Sequence, residues 1–312
     1  MKMKPTRDGY GEGLLELGKT NSQVVVLDAD LSKSTRTDWF MKEYPDRFFD
    51  IGIAEQDMLG TAAGLALAGK IPFVTTYGVF VAGRAWDQIR TTIAYAELNV
   101  KIAGAHGGIS VGADGATHQA LEEITLMRVL PNMTLVVPCD AIETKKATIA
   151  LAKLKGPAYL RFAREASPVF TSQEDSFEIG TAITLKEGSD LTIIACGPIV
   201  YEALKASEEL EKLGYSARVI NMHTIKPLDQ RKILTAAAET GAIVTAEEHQ
   251  VLGGLGGAVA EVLVKNYPVP VEMVGIQDTF GESGTPEELA ERYGLTAGHI
   301  VLAALKVLKR KG

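Results

Sequence analysis

The stretch "FVTTYGVFVAGRAWDQIRTTIAYAELNVKIAGAH", residues 73–106, decides the fold. Its first five residues form an apolar, β-branched run (73–77), and "VKIAGAH" (100–106) forms a second. Between them the spacing predicts a helix near 84–98, with Trp86, Ile89, Ile93 and Ala96 on the inward stripe. Strand, helix and strand in that order are the unit of a parallel sheet with helices on its faces. The alternation continues in both directions. Upstream lie a helix at 8–19, with Tyr10, Leu14 and Leu17 on one stripe, the strand "QVVVLDA" (23–29), a helix around 36–44, a short strand near 48–53 and a helix at 54–69. Downstream come a glycine-rich loop, the strand "TLVVP" (134–138), a helix at 140–154 and the strand "AYLRF" (158–162). Residues 164–189 lose this periodicity and turn polar. A second alternation follows, with strands at 191–197, 217–222, 242–246 and 271–276 and helices near 200–213, 228–240 and 254–266. The expected class is α/β: a parallel sheet with helices on both faces in residues 1–165, a linker at 166–189 and a smaller α/β domain in 190–312.

The composition bounds the partners. Hydrophobic residues make up 46% of the 312 and charged residues 23%, as in a globular protein, and the formal net charge is −7. No basic run offers the clustered cations that binding a nucleic acid requires. No run of about 18 apolar residues could span a membrane, and the N-terminus lacks a signal peptide's apolar segment, so a cytoplasmic location is expected. Cys139 and Cys196 each end an apolar run and read as buried thiols rather than a disulfide or metal pair. Small phosphorylated substrates stay open, because they need only two or three placed cations.

Two glycine-rich segments are decoys. "GLALAGK" (64–70) has the spacing of a phosphate loop, but Ile71 stands where a hydroxyl is needed and the segment ends a helix instead of opening one. "GGLGGAVAE" (253–261) opens a helix, but Val259 replaces the third glycine of a dinucleotide fingerprint, which leaves tight packing or a subunit contact as its use.

The remaining candidates lie where strands end. Glu55 opens the helix at 54–69, where a first-turn carboxylate suits the helix dipole. Met58, Leu59, Ala62, Ala63, Leu65, Ala66 and Leu67 leave that helix little polar surface. It should be buried nearly all round, with Glu55 desolvated and in need of a partner that shares a proton. The loop "HGGISVGADGATH" (106–118) follows a strand and carries His106, Asp114 and His118, too widely spaced for a metal set; it reads as a substrate loop or as a glycine-rich turn. His223, His249 and His299 lack such company and read as surface or core residues. Arg164 follows the strand at 158–162, where a guanidinium could fork onto a phosphate, and Arg7 opens a helix, where a bound anion would relieve it. Each arginine taken alone reads more readily as a solvated surface residue.

The combination "IGIAEQDM", "TTYGVFVAGRAWDQIR", "GADGATHQALEE", "LRFARE" and "EEHQVLGGLGGAVAE" resembles the C-terminal half of transketolase and covers nearly the whole chain. Similarity to deoxyxylulose-phosphate synthases and to 2-oxoacid dehydrogenase beta subunits marks the shared superfamily. The resemblance implies that residues 1–165 form the pyrimidine-binding domain of a thiamine diphosphate enzyme and residues 190–312 the transketolase C-terminal domain. It makes Glu55 the glutamate that hydrogen-bonds the cofactor's aminopyrimidine and favours its imino tautomer, which then removes the thiazolium proton. Tyr77 and Phe80 match the aromatic pair around the pyrimidine. His106, Asp114 and His118 match residues facing the sugar, with His118 catalytic beside Glu55. Arg7, Ser34 and Arg164 match the set that holds the sugar's phosphate. One extra residue near Gly83 shifts the spacing after Phe80.

A full transketolase also carries a diphosphate-binding domain with a G-D-G sequence and asparagine ligands for its metal, and no G-D-G occurs in this sequence. The resemblance therefore implies one subunit of a split transketolase in pentose phosphate metabolism, moving a two-carbon ketol unit between sugar phosphates. A separate N-terminal subunit would supply the diphosphate site and its Mg2+ or Ca2+. The assembly expected is a homodimeric core within a heterotetramer, and this chain alone should be inactive. The rival readings are a synthase or oxoacid dehydrogenase subunit and a non-catalytic scaffold.

Overall fold

The computed structural model describes residues 1–311 and contains three sheets. The strands of the N-terminal half are β1 (Met3–Pro5), β2 (Val24–Asp28), β3 (Phe48–Asp50), β4 (Ile71–Tyr77), β5 (Lys101–Ala105), β6 (Thr134–Val136), β7 (Ala158–Phe162) and β8 (Ala166–Pro168). Those of the C-terminal half are β9 (Ile183–Lys186), β10 (Leu191–Ala195), β11 (Ala217–Asn221), β12 (Thr224–Lys226), β13 (Ile243–Gln250) and β14 (Val271–Ile276). The larger sheet has the order β12-β6-β7-β5-β4-β2-β3 and is parallel except for β12. The smaller has the order β14-β13-β10-β11-β9, parallel except for β9.

The strand side-chain period of two sets the layering. Val24 and Val26 point to the face covered by Tyr10, Leu14 and Leu17, while Val25 and Leu27 point to the opposite face with Met58, Leu59, Ile89 and Ile93. Each such Leu or Ile removed from water contributes roughly 1.5–3 kcal/mol, so both faces of the sheet must be covered. On the first face the helix Thr6–Thr20 lies against the helix Ala141–Lys153, close enough that a Cβ on Gly9 would stand 2.0 Å from the Ala141 carbonyl oxygen. The second face continues into Ile194, Ile220, Ile225 and Ile233 of the C-terminal half, which share one apolar cluster with it.

Several local readings change. The helix expected near 84–98 begins at once after β4, as Gly78–Arg84, and then widens into a π-helical segment Gln88–Ala94. That shift leaves Ala96 exposed instead of inward. The polar stretch after residue 165 holds two strands: β8 pairs antiparallel with β1, and β9 edges the smaller sheet. Strand β12 crosses back to pair with β6, tying the C-terminal half to the edge of the larger sheet. Two helices unread in the sequence, Pro286–Arg292 and Ala297–Arg310, follow β14. The helix Glu55–Leu67 is not buried all round: Gly60 and Gly64 face open space and Leu67 is 76% exposed. Among the described residues, no helix is long and apolar enough to cross a membrane.

Candidate active site

Register brings the strand ends to one edge. Asp28 of β2 lies opposite Asp50 of β3 and Thr75 of β4, Tyr77 lies opposite Ala105 of β5, and Ala105 lies opposite Phe162 of β7. In a parallel sheet this edge is where ligands bind, because the loops leaving it converge there.

Glu55 is 4% exposed at the start of its helix, and one carboxylate oxygen accepts a hydrogen bond from Arg84 at 2.9 Å. The Arg84 guanidinium also spreads over the Phe80 ring, 4.0 Å from its centroid. Phe80 in turn stacks beside Tyr77, with ring centroids 5.7 Å apart and planes 19° from parallel. A single planar cation thus reaches both a buried carboxylate and an aromatic face, which brings together three side chains that sequence spacing had left apart.

His106 and His118 pack against the same aromatic pair. His106 lies 4.1 Å from Tyr77 between ring centroids, and His118 stands edge-on to Phe80 at 5.4 Å. His106 follows β5 directly in a left-handed backbone conformation, φ +58°, which is unusual for a residue with a Cβ and costs of order 1–3 kcal/mol. It is fully buried, and neither ring nitrogen has a hydrogen-bond partner among the described residues. Burial, together with the positive charges of Arg7 and Arg164, pushes its pKa down to about 3, so the ring is neutral at any ordinary pH.

The arginines form the rim. Arg7 donates to the Ser34 carbonyl at 2.9 Å, and the Ser34 hydroxyl lies 3.0 Å from the Tyr77 hydroxyl. The Nε of Arg7 is buried without a partner. Burial and the charge of Arg36 lower the Arg7 pKa, the mark of a cation short of counter-charge. Arg164 pairs with Asp114 at 2.9 Å. All nine residues singled out in the sequence, Arg7, Ser34, Glu55, Tyr77, Phe80, His106, Asp114, His118 and Arg164, therefore belong to one connected edge.

Other participants went unread. Arg84 stands in the quoted "VAGRAWDQ" but carried no signal of its pairing. Arg36 adds a third arginine near His106 and pairs with Asp8 at 2.7 Å. Asp28 accepts from the Leu31 backbone at 2.6 Å and from the hydroxyls of Thr35 and Thr37, at 2.9 and 2.8 Å, and so shapes the turn that carries Ser34. Its place at the end of "VVVLDA" was a usable sign. The second glycine-rich decoy serves packing: Glu247 accepts from the backbone N–H groups of Leu255 and Gly256 at 2.7 and 2.8 Å, filling the helix start with an internal carboxylate. Cys139 and Cys196 are free and buried. Among the described residues, no group of three or more His, Cys, Asp or Glu is arranged to hold a metal ion.

A parallel α/β scaffold with a buried carboxylate, an aromatic pair and an arginine rim gathered at the strand ends has the architecture of an α/β enzyme. The transketolase pyrimidine-binding domain family matches residues 2–169, and the transketolase C-terminal domain family matches residues 180–300. A solved structure described as a split gene transketolase, inactive beta4 tetramer, is 52% identical, superposes with a TM-score of 0.93, and each chain covers 99% of the other. A protein of Methanocaldococcus jannaschii named "Putative transketolase C-terminal section" is 47% identical over 99% of this chain and 98% of its own length. The 6-deoxy-6-sulfo-D-fructose transketolase subunit SqwH of Clostridium sp. (strain MSTE9) is 44% identical over 98% of this chain and 95% of its own. The chain belongs to the transketolase family and aligns over 98–99% of its length with these relatives.

Proposed function

We propose that this chain is the C-terminal subunit of a two-chain transketolase that moves a two-carbon ketol unit from a ketose phosphate to an aldose phosphate. The observation that carries this reading is the Glu55, Arg84 and Phe80 arrangement, a nearly dry carboxylate 2.9 Å from a planar donor that lies 4.0 Å over an aromatic ring. An aminopyrimidine is likewise planar and able to donate, so the donor and acceptor chemistry fits thiamine diphosphate. That cofactor, when bound, supplies the electron sink for breaking and making the carbon–carbon bond.

The chain's own residues do the rest. Glu55 holds a proton at the pyrimidine edge, Phe80 and Tyr77 fix the ring plane, and His118 and neutral His106 serve the sugar hydroxyls and carbonyl as donors and acceptors. Arg7, Arg164 and Ser34 hold the anionic tail, so that binding energy remote from the reacting carbonyl positions it. Partner-deficient Arg7 supports an anion there. In this reading the diphosphate and its Mg2+ or Ca2+ belong to the N-terminal subunit. The exposed Ile53, Leu67 and Tyr95 support a chain-to-chain face and hence the homodimeric core within a heterotetramer. Two free buried thiols fit a reducing cytoplasm, and pentose phosphates are the substrates proposed.

The test is reconstitution with the separate N-terminal subunit, thiamine diphosphate and Mg2+. Transfer between a ketose phosphate and an aldose phosphate, absent with either chain alone, is the expected result. Release of carbon dioxide from pyruvate without such transfer, or no cofactor binding by the pair, would overturn the reading.

A further inference from the structure

The loop that carries His106, Asp114 and His118 rests on the C-terminal half of the chain. Glu248, at the end of β13 and 8% exposed, accepts a hydrogen bond from the Ser110 backbone N–H at 2.6 Å. Its carboxylate fits under Gly108, where φ is +97° and a Cβ would lie 2.3 Å from the Glu248 Oε1, so no side chain can intervene. Beneath it runs Arg161 of β7, buried and ion-paired to Glu123. That guanidinium donates to the Glu248 carbonyl at 2.7 Å and passes close under Gly107.

The loop's far end is held in the same way. Gln119 donates through Nε2 to the Ile109 carbonyl at 3.2 Å and to the Glu282 carbonyl at 2.9 Å, joining the short helix Ile109–Asp114 to the segment before Pro286–Arg292. Asp114 closes that short helix and meets Arg164 at 2.9 Å. The Glu55 and Phe80 side of the site meets the loop where His118 stands edge-on to Phe80, but it takes no part in these hydrogen bonds and stands on the helices Glu55–Leu67 and Gly78–Arg84.

We infer that Glu248 is a positioning residue through which the C-terminal half braces the substrate loop, setting affinity for the sugar phosphate and leaving cofactor binding to the other side. The inference rests on the transketolase reading for its substrate. A buried carboxylate accepting one backbone N–H fixes that peptide in space, and about 1 Å of slack at Ser110 would be passed along the short helix to Asp114 and its partner Arg164. Misplacement of this size costs about 100-fold where binding groups must converge.

Three variants separate the brace from general stability. In Glu248→Gln the amide oxygen can still accept from Ser110; in Glu248→Asp the carboxylate is withdrawn by one methylene; in Glu248→Ala it is gone. In the reconstituted enzyme the Ala and Asp variants are expected to raise KM for the ketose phosphate by tenfold or more, with cofactor affinity within about twofold of wild type. The Gln variant is expected to stay within about threefold in both. Hydrogen exchange of the free chain supplies a readout independent of activity. Amides 108–114 should exchange at least tenfold faster in the Ala and Asp variants and at the wild-type rate in Gln. If wild type moves no ketol unit, the functional reading fails while the exchange pattern still decides the brace. Unchanged exchange and KM in the Ala and Asp variants, or cofactor affinity falling in step with KM, would overturn it; should Ala not fold, Asp and Gln decide alone.

Discussion

The carboxylate of Glu55 and the guanidinium of Arg84 face each other at 2.9 Å, one 5% and the other 51% exposed on its side chain. Such a half-exposed pair is worth little by itself, but it is the partner that a dry carboxylate needs. Arg84→Ala should lower the stability of the free chain by about 1–2 kcal/mol, because Glu55 is then buried without counter-charge. Arg84→Lys keeps the charge but loses the plane that lies over Phe80, and should recover about half of the loss. Urea unfolding of the three proteins under one buffer reads the difference; equal midpoints would show that Glu55 has no need of the pair.

The proposed proton sharing by Glu55 has its own consequence. Glu55→Gln preserves an acceptor of the same shape and cannot carry a proton, so in the reconstituted enzyme turnover at saturating cofactor should fall by about 100-fold or more. Glu55→Ala should fall at least as far. Turnover within about threefold of wild type in the Gln variant would remove Glu55 from the chemistry and leave it as a helix-start carboxylate.

Asp28 holds the turn that presents Ser34 to Tyr77, through one backbone and two threonine donors. Asp28→Ala removes the acceptor shared by the Leu31 N–H and the Thr35 and Thr37 hydroxyls; Thr35 can still donate to the Leu31 and Ser32 carbonyls at 3.2 and 3.3 Å, so the cost should be about 1–3 kcal/mol of stability. Loosening Ser34 and its partner Arg7 should also raise KM for a phosphorylated sugar more than for its unphosphorylated counterpart. A uniform rise for both would place the effect in the turn alone and not in anion binding.

Much of the framework was legible because burial on both faces of a parallel strand leaves a nearly continuous apolar run, as in "VVVLD", and the intervening stripes repeat at helical spacing. What stayed hidden depends on long-range pairing. β12 has three residues and no apolar pattern, and it forms only because β6 offers an open edge. The helix after β4 starts six residues early, at Gly78, where a Cβ would press on Ala120 and the Tyr159 hydroxyl at 3.3 Å, a close approach that periodicity counted from Trp86 could not register. In the site, residues carried by strand ends were readable, since a parallel sheet places its loops at one edge. Arg84, Arg36 and Glu248 were not, because each acts through a partner 28 or more residues away.

The close approach of the helices Thr6–Thr20 and Ala141–Lys153 makes a sharp packing prediction. A Cβ on Gly9 would stand 2.0 Å from the Ala141 carbonyl oxygen, and one on Gly13 would stand 2.7 Å from the Thr148 Cβ. Backbone cannot yield as a flexible side chain can, so the helices must separate. Gly9→Ala should cost about 3 kcal/mol or more, whereas Ala at the open helical Gly64 should be neutral or slightly stabilising in the free chain. Thermal unfolding of the two variants side by side checks the contrast, and a mild effect at Gly9 would mean that the helices pack more loosely than described.

Acid sensitivity provides the last prediction, and its sign follows from which state binds the proton. His223 is fully buried, packs against Phe177 with ring centroids 4.4 Å apart and planes tilted by 32°, and has its Nδ1 2.9 Å from the Thr224 hydroxyl. Burial pushes its pKa from the ordinary 6.5 down to about 4. Between those values the unfolded chain binds more protons than the folded one, so stability that is complete above pH 6.5 drains away as the pH falls toward 4. The contribution of this one ring is about 1.4 kcal/mol per pH unit inside that window. His106 and His249, both pushed to about 3, act with the same sign. Asp28, raised to about 6, and Glu143 and Glu247, raised to about 7, act oppositely, because they take up protons on folding as the pH falls. The wild-type profile therefore mixes two opposed sets, and the informative quantity is the difference between variant and wild type. His223→Gln, which can still meet Thr224 but does not titrate, should be less stable than wild type at pH 7 and close the gap steadily from pH 6 to pH 4. Stability curves that run parallel across that window would place the folded His223 near its ordinary pKa and remove the burial argument with it.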